Sequence, residues 1–395
     1  MADVLRLLAA REHGLDPPWL LPRLYGGRMF AQLELSRVKD CARLHHRPVT
    51  ALDVECQAGR YLLSGSGDND GAIGIYDLLR PVGAATFTCP VIASSHNHGH
   101  THGISTVQWY PHDTGMFTSS SLDRSLSVWD TNQLCVVERF KFTEAVYTHS
   151  MASSGTHCLT AAGGGECKIT LCDINSGSQT HILRGHRKPV MALKWCPSRD
   201  HILTSGSQDN KILFWDIRKG SGPLFDLDQH NGGGMAQSTS ALSAHNGHVV
   251  GLCFTSDGLF LLSVATDNHL RLWDTCTLKN SLINYGRVPI SLVQQTCQLS
   301  ITSSLCSLTP TLAVPTGNDV SLFELFTGKK VAILKGHYGK VTSCILHPFE
   351  QELYSGGSDR NILCWTPPPH TTCESQTQDS SRIAAVYSDT WSDED

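Results

Sequence analysis

The chain has 395 residues, with 31 Lys and Arg against 36 Asp and Glu, a formal net charge of −5 and a pI near 6.5. That length suffices for one large domain, and the charge balance offers no global field for nucleic acid. No apolar run approaches the ~18 residues of a membrane span, and Asp3, Arg6 and Arg11 interrupt the opening stretch, which argues against a secretory leader. Fifteen cysteines without C-x-x-C pairs read as reduced, mostly buried thiols and point to cytosol or nucleus.

Residues 1–13 carry Val4, Leu5, Leu7 and Leu8 on one apolar face, which predicts a short helix. "GLDPP" follows as a turn, with Asp16 as N-cap and Pro17 at the first helical position. From Trp19, apolar residues recur at Leu20, Leu21, Leu24, Tyr25, Met29, Phe30 and Leu33, near helical spacing, although Gly26-Gly27 weakens that helix. Two readings fit: a helix pair packed on its own domain, or a helix–loop–helix arm (residues 1–37) inserted into a partner's groove. Next, "VKDCARLHH" (residues 38–46) resembles "KKVAILKGH" at Lys329–His337, a pattern of outer-strand type.

Four copies of one pattern follow in chain order, starting at His102, Gly185, Ala244 and Gly336. Each has a His, an alternating apolar run, a Ser four residues before an Asp, and a Trp six residues after that Asp. The last three sets are His186/Ser205/Asp209/Trp215, His245/Ser263/Asp267/Trp273 and His337/Ser355/Asp359/Trp365; in the first, Asp123 precedes Trp129. This is the WD-repeat signature. The Trp129–Trp215 and Trp273–Trp365 intervals are each about twice the ~40–45-residue period, so each hides a degenerate copy. Residues 144–174 supply one, with Cys172-Asp173 in place of Trp-Asp, and residues 311–325 another, with Phe323-Glu324. A seventh copy at the front ends in Tyr76-Asp77. The expected fold is all-β, a closed seven-bladed propeller over residues 38–369. After Trp365 three prolines exclude a laddered strand, so residues 38–44 are expected to close the last blade.

The recurring Ser, His and Asp are triad chemistry, but a nucleophilic site converges once beside a pocket. A set repeated blade after blade reads instead as a buried hydrogen-bond network, with no catalytic residue, cofactor or metal required. The stretch "SSHNHGHTHG" (residues 94–103) alternates His96, His98, His100 and His102, a comb for a transition metal if extended. The absence of Cys and carboxylate there favours a solvated loop, and His102 reads as the repeat's own structural His. The Gly/Ser-rich "DQHNGGGMAQSTSALS" is a flexible loop. Residues 370–395 are polar and end "WSDED", a disordered acidic tail by composition.

Several runs are longer than repeat consensus: "VQWYPHDTGMFTSSSLDRSLSVWDT", "LDQHNG", "AHNGHVVGLCFTSDGL" and "LKGHYGKV". With the "GLDPP" arm and the Trp-plus-acidic tail, they resemble the Cockayne syndrome WD-repeat (CSA) family over essentially the whole chain. The His comb, the "DNDG" turn at residues 68–71 and residues 288–309 depart from it. The resemblance implies a nuclear, non-catalytic substrate receptor of a cullin-4 type RING ubiquitin ligase in transcription-coupled nucleotide excision repair. It implies an arm (Leu5, Leu8, Leu20, Leu21, Leu24, Phe30) and one rim docking on the damage-specific DNA-binding adaptor. The opposite face would present substrates such as the Cockayne syndrome ATPase at stalled RNA polymerase, with no direct nucleic acid or membrane contact required. Such receptors often carry W-D-x-R at a blade end, and Trp215-Asp216-Ile217-Arg218 matches, making Arg218 an adaptor contact. A generic WD scaffold of another nuclear complex is the alternative reading.

Overall fold

The computed structural model describes Phe30 and residues 32–67, 71–79, 87–89, 91–95, 99–153, 156–220, 222–232, 243–290, 296–302 and 310–368. Seven four-stranded antiparallel sheets form a ring. Blade one is Val49–Val54, Tyr61–Ser66, Ile73–Asp77 and Val91–Ser95; blade two is Ile104–Trp109, Met116–Ser121, Ser125–Asp130 and Cys135–Lys141. Blade three is Val146–Met151, Leu159–Gly164, Lys168–Asp173 and Ser178–Arg184; blade four is Val190–Trp195, Ile202–Ser207, Ile212–Asp216 and Phe225–Asp226. Blade five is Val249–Phe254, Phe260–Ala265, Leu270–Asp274 and Lys279–Asn280; blade six is Ser300–Ile301, Thr311–Thr316, Asp319–Glu324 and Lys330–Lys335. Blade seven takes Val341–Leu346, Leu353–Gly357 and Ile362–Thr366 from the end of the chain and Glu34–Leu35 from its beginning. Both degenerate copies are thus full blades, with Cys172 opposite Thr160 and Phe323 opposite Leu312 where Trp215 faces Leu203.

The apolar runs explain the arrangement. Strands such as "VMALKW" and "ILFWD" are buried on both faces, because each blade packs between two others. The core is correspondingly divided into seven clusters, one per blade interface. Trp215 packs with Ala161, Ile169 and Leu171 of blade three, and Trp273 with Ile212 and Phe214 of blade four. Close approach needs small residues at the contact: a Cβ on Gly206 would sit 2.5 Å from Val249 Cγ1, and on Gly356 2.7 Å from Val49 Cγ1.

Ring closure differs in register from the expectation. The N-terminal segment does complete the last blade, but Glu34 pairs with Thr366 and Leu35 with Trp365, and the Ser36 N–H donates to Cys364 O at 2.9 Å. Residues 38–44 are not that strand. Lys39–Cys41 instead pair in parallel with Phe87–Cys89, and Lys39 Nζ bonds Glu352 Oε2 at 2.7 Å, so this stretch straps blade seven to blade one. The reason is side-chain chemistry: Cys41 is buried with Val49, Leu52, Tyr354 and Cys364 between those blades, a place an outer strand cannot reach. Phe30 and Leu33 are buried in the interface of blades six and seven with Leu322, Leu334, Leu353 and Trp365. The boundary drawn between residues 37 and 38 therefore cuts through the ring's own closure.

A second closing device lies inside the ring. The Gln298 amide mimics a strand partner, its Oε1 accepting from Leu52 N at 3.0 Å and its Nε2 donating to Leu52 O, while the Cys344 thiol donates to Gln298 O at 3.4 Å. Blade six is thereby tied to blade one across blade seven.

Ser36→Pro deletes the N–H that reaches Cys364, and Phe30→Ala empties a fully buried site. Phe30→Ala should cost about 3–5 kcal/mol, with Ser36→Pro lowering the unfolding midpoint in the same direction. Urea unfolding with unchanged midpoints for both would remove these residues from the closure.

Candidate protein-interaction faces

In each blade the first strand lines the central channel. Turns between first and second strands, and between third and fourth, emerge on one face of the ring, here the lower. Turns between second and third strands, and the connections entering each first strand, emerge on the upper face. The tetrads, the channel residues and Arg218 can be placed on these two faces or in the channel.

The tetrads lie beneath the upper face. In blade four, His186 Nδ1 is 2.9 Å from Asp209 Oδ2, its Nε2 is 2.7 Å from Ser205 Oγ, and Trp215 Nε1 donates to that Oγ at 2.7 Å. Blade five repeats this with His245, Asp267, Ser263 and Trp273 at 3.1, 2.7 and 2.9 Å. Blade seven does so with His337, Asp359, Ser355 and Trp365 at 2.8, 2.7 and 2.7 Å. Nδ1–H donates to the carboxylate, so Nε2 accepts the serine O–H and the serine oxygen accepts the indole N–H. All three serines are fully buried. With that oxygen committed on both sides and sealed from solvent, no substrate can approach it.

Blade two corrects one assignment. Its tetrad histidine is His100, 2.9 Å from Asp123 Oδ2 and 2.7 Å from Ser119 Oγ, with Trp129 Nε1 2.7 Å from the same oxygen. His102 is exposed. Spacing would have found His100, which precedes Asp123 by the interval that separates His186 from Asp209. The comb loses its geometry accordingly: His100 is buried, His102 is exposed, and His96 and His98 lie outside the described residues. Among the described residues no group of three or more His, Cys, Asp or Glu is placed to hold a metal ion. Two degenerate blades keep fragments of the network. His45 Nε2 meets Ser64 Oγ at 2.6 Å in blade one, and in blade three the Thr143 hydroxyl donates to Glu166.

Burial and pairing set the protonation of these groups. Burial alone would raise the Asp123 and Asp267 carboxyls, but His100 and Ser125, and His245 and Arg271, hold them far below the usual range. His245 is pushed down to about 4, by burial first and then by the Arg271 guanidinium, against the pull of Asp267. The tetrad Asp also accepts the backbone N–H of the residue after the His, as Arg187 N and Tyr338 N do at 3.0 and 3.2 Å. The following side chain is thereby fixed outward on the upper face.

Inside the channel, Asp53 accepts from Trp109 N at 2.7 Å, and burial lifts its carboxyl to about 7 against that bond and the charge of Lys194. His149 is bonded at Nδ1 by Thr106 Oγ1 (2.6 Å) and Ser120 Oγ (2.9 Å) and at Nε2 by Thr118 Oγ1 (2.8 Å). Burial, then the charge of Lys194, pushes its imidazole down to about 3. The repeat signature does not contain these residues.

On the lower face, Arg218 is the sequence-derived contact that the structure describes in the open. Its Nε and Nη2 fork onto Asp216 Oδ1 and Oδ2 at 2.9 and 2.8 Å, while the side chain stays 63% exposed. The Arg218 guanidinium first, with backbone N–H bonding, keeps Asp216 at about 2. The arginine is thus held pointing from the blade edge with donors to spare. Phe30, expected among the arm's partner contacts, is instead core, because its ring fills the gap between blades six and seven. Leu5, Leu8, Leu20, Leu21 and Leu24, and the tail 370–395, lie outside the described residues.

Comparison with known proteins agrees with this geometry. The WD40 family model, WD domain or G-beta repeat, matches residues 93–130, 177–216, 236–274 and 328–366, the four blades with complete tetrads. The chain is 32% identical over 444 aligned positions to WD repeat-containing protein ATCSA-1 of Arabidopsis thaliana, covering 93% of this chain and 95% of that protein. WD repeat-containing protein slp1 of Schizosaccharomyces pombe is 25% identical over 62% of this chain and 46% of its own. The U5 small nuclear ribonucleoprotein 40 kDa protein of Dictyostelium discoideum is 28% identical over 33% and 36%.

Two measurements test the networks. Ser205→Ala strands His186 Nε2 and the Trp215 N–H, and should cost about 1–3 kcal/mol in urea unfolding; a neutral result would deny the network its structural role. His149 and His245 refuse protons that the unfolded chain accepts below about pH 6.5. Their contribution is therefore present above that pH and lost as pH falls towards 4 and 3. His149→Gln, which keeps polar partners but cannot titrate, should shift acid unfolding to lower pH than wild type. An unmoved midpoint would exclude His149 from the acid transition.

Proposed function

The chain belongs to the CSA-like family of WD-repeat proteins, and on that premise we propose that it is the substrate-recognition subunit of a cullin-4 type RING ubiquitin ligase. In this reading it acts in the nucleus, in transcription-coupled nucleotide excision repair, and performs no chemistry. It holds a target beside the charged conjugating enzyme, so its contribution is effective concentration. The observation that carries the reading is kinship along 93% of the chain and 95% of the CSA-type relative, where slp1 and the U5 40 kDa protein match 62% and 33% of this chain.

The geometry suits the role. The adaptor of the ligase, a damage-specific DNA-binding protein bound in turn to the cullin–RING core, would be engaged by Leu5, Leu8, Leu20, Leu21 and Leu24. Arg218 on the lower face would meet a carboxylate at the rim, its orientation already fixed by Asp216. The upper face would remain for substrates, among them the Cockayne syndrome ATPase at stalled RNA polymerase. Neither nucleic acid nor membrane is needed in this scheme.

The test separates arm from ring. Because Phe30–Ser36 close the propeller, the informative variant leaves them intact: Leu20→Ser, Leu21→Ser and Leu24→Ser together. The tagged full chain should lose the adaptor from nuclear extract by more than ten-fold while its thermal unfolding is unchanged. Arg218→Ala should weaken adaptor binding by roughly ten-fold, the loss of one rim contact worth about 1.4 kcal/mol. Recovery of the adaptor at wild-type affinity by the triple variant would remove the arm from the mechanism and favour a generic scaffold.

A further inference from the structure

Among the described residues, the exposed charges of the upper-face turns are mainly basic. Arg187 and Lys188 follow the tetrad His of blade four, Lys340 follows that of blade seven, and Arg124 and Arg360 follow the tetrad Asp of blades two and seven. All of these are exposed, and none makes an ion pair among the described residues. Among the described residues of the same turns, Glu144 is the exposed acid.

Two of these arginines sit where the backbone resists them. Arg124 and Arg360 have φ of 68° and 69°, in the left-handed region. Blades four and five place Asn210 and Asn268 at the equivalent turn position, φ 70° and 61°, where Asn is tolerated at lower cost than a long side chain. Tetrad geometry thus forces these guanidiniums outward at some expense in strain, a recurrent mark of functional positions.

These cations share the upper face with the mouth of the channel. A cavity of about 620 Å³ opens there, lined by apolar Ile104, Leu122, Tyr147 and Pro189 and also by threonines, Ser105 and Gln208. At the edge of the same face, Tyr338 is 93% exposed. An occupant matched to this surface has an aromatic anchor flanked by carboxylates.

The chain itself holds such a segment. Residues 387–395, "YSDTWSDED", place Trp391 among Asp389, Asp393, Glu394 and Asp395, with no Lys or Arg. The last described strand ends at Thr366 on the lower side, and the chain from Pro368 to Trp391 can extend to about 75 Å. The ring is roughly 20 Å thick, the length of a six-residue strand, so the segment reaches the upper mouth around the rim. We propose that Tyr387–Asp395 docks in cis on the upper face, Trp391 in the mouth and its carboxylates on Arg124, Arg187, Lys188, Lys340 and Arg360, competing with any ligand of that face. Tethering supplies an effective concentration on the order of millimolar, so a weak complementary segment suffices. The inference does not depend on the ligase reading.

The test uses the full chain and a fluorescein-labelled peptide of residues 386–395. The first variant neutralises the tail in place by Trp391→Ala, Asp389→Asn, Asp393→Asn, Glu394→Gln and Asp395→Asn. The peptide should bind this chain, bind wild type at least ten-fold more weakly, and lose affinity with rising salt. Adding Arg187→Gln, Lys340→Gln and Arg360→Gln should reduce binding at least ten-fold, with unfolding midpoints confirming that the ring is intact. No binding to the tail-neutralised chain overturns the proposal, as does equal binding to wild type. Single-stranded DNA binding with the same cation dependence in place of the peptide would make the face a nucleic-acid surface and overturn it too. Adaptor recovery by the tail-neutralised chain reports separately on the ligase reading, since that contact is assigned to the arm and the lower rim.

Discussion

The backbone pairing of Glu34–Leu35 with Trp365–Thr366 is the contact on which the rest of the molecule depends. Each hydrophobic cluster is shared by two blades, and no blade owns a core of its own. In an open array the end blades would each lose one apolar face and expose a strand edge. Closing the ring converts both ends into interfaces. The chain does so with a short backbone ladder, and the supporting side chains explain why that is enough. Phe30 and Leu33 fill the interface of blades six and seven, Cys41 fills that of blades seven and one, and Gln298 bonds Leu52 from within the channel. A short ladder between well-packed neighbours is cooperative with them in a way that an isolated hairpin is not.

The tetrads solve a different problem. Strand pairing fixes the blades but leaves their connecting turns to themselves. A buried Asp–His–Ser–Trp chain ties the connection entering a blade to the turn between its second and third strands, and anchors both to an indole in the apolar core. The backbone N–H bonds to the same carboxylate then set the direction of the next side chain. The upper face is therefore a set of rigidly aimed side chains rather than a fringe of loops, which lowers the ordering cost of binding there. At the lower face the Asp of the Trp-Asp dipeptide does the equivalent work. Asp130, Asp216 and Asp274 each accept the N–H two residues on, and in blade four that residue is Arg218.

Much of this was legible in the sequence, and the exceptions have physical causes. Trp at a fixed distance from Asp is visible because the tetrad needs both at once. The degenerate blades remained recognisable because Cys172 and Phe323 keep the apolar character of the position, though they drop the indole donor. That the N-terminus closes the last blade followed from the prolines after Trp365. Its register did not, because a two-residue strand has no periodicity to read, and "VKDCARLHH" mimics an outer strand while acting as a strap. Phe30 misled for a related reason: an apolar helical stripe looks the same whether it faces its own ring or a partner. His102 was preferred over His100 because alternating histidines offer two candidates, and only the interval to Asp123 separates them.

The division of labour between faces follows from strand direction. Strand reversal sends the tetrad His and Asp to the upper side and the Trp-Asp dipeptide to the lower in every regular blade, so neighbouring residues in a repeat serve opposite surfaces. Asp209 and Asp216, seven positions apart, illustrate it: one orients Arg187 upward, the other Arg218 downward. Charge can then be sorted by face without disturbing the core, since the exposed residue beside each anchor is structurally free. The net charge of −5 belongs to residues 370–395, leaving residues 1–369 balanced, and such a ring can set exposed cations on its upper face against exposed acids in lower-face turns such as Asp113, Asp257 and Glu350. A rigid ring with two differently charged faces can hold one partner below and one above with little mutual interference. That physical property is what a receptor requires, and it comes from the alternation of strand direction rather than from any single residue.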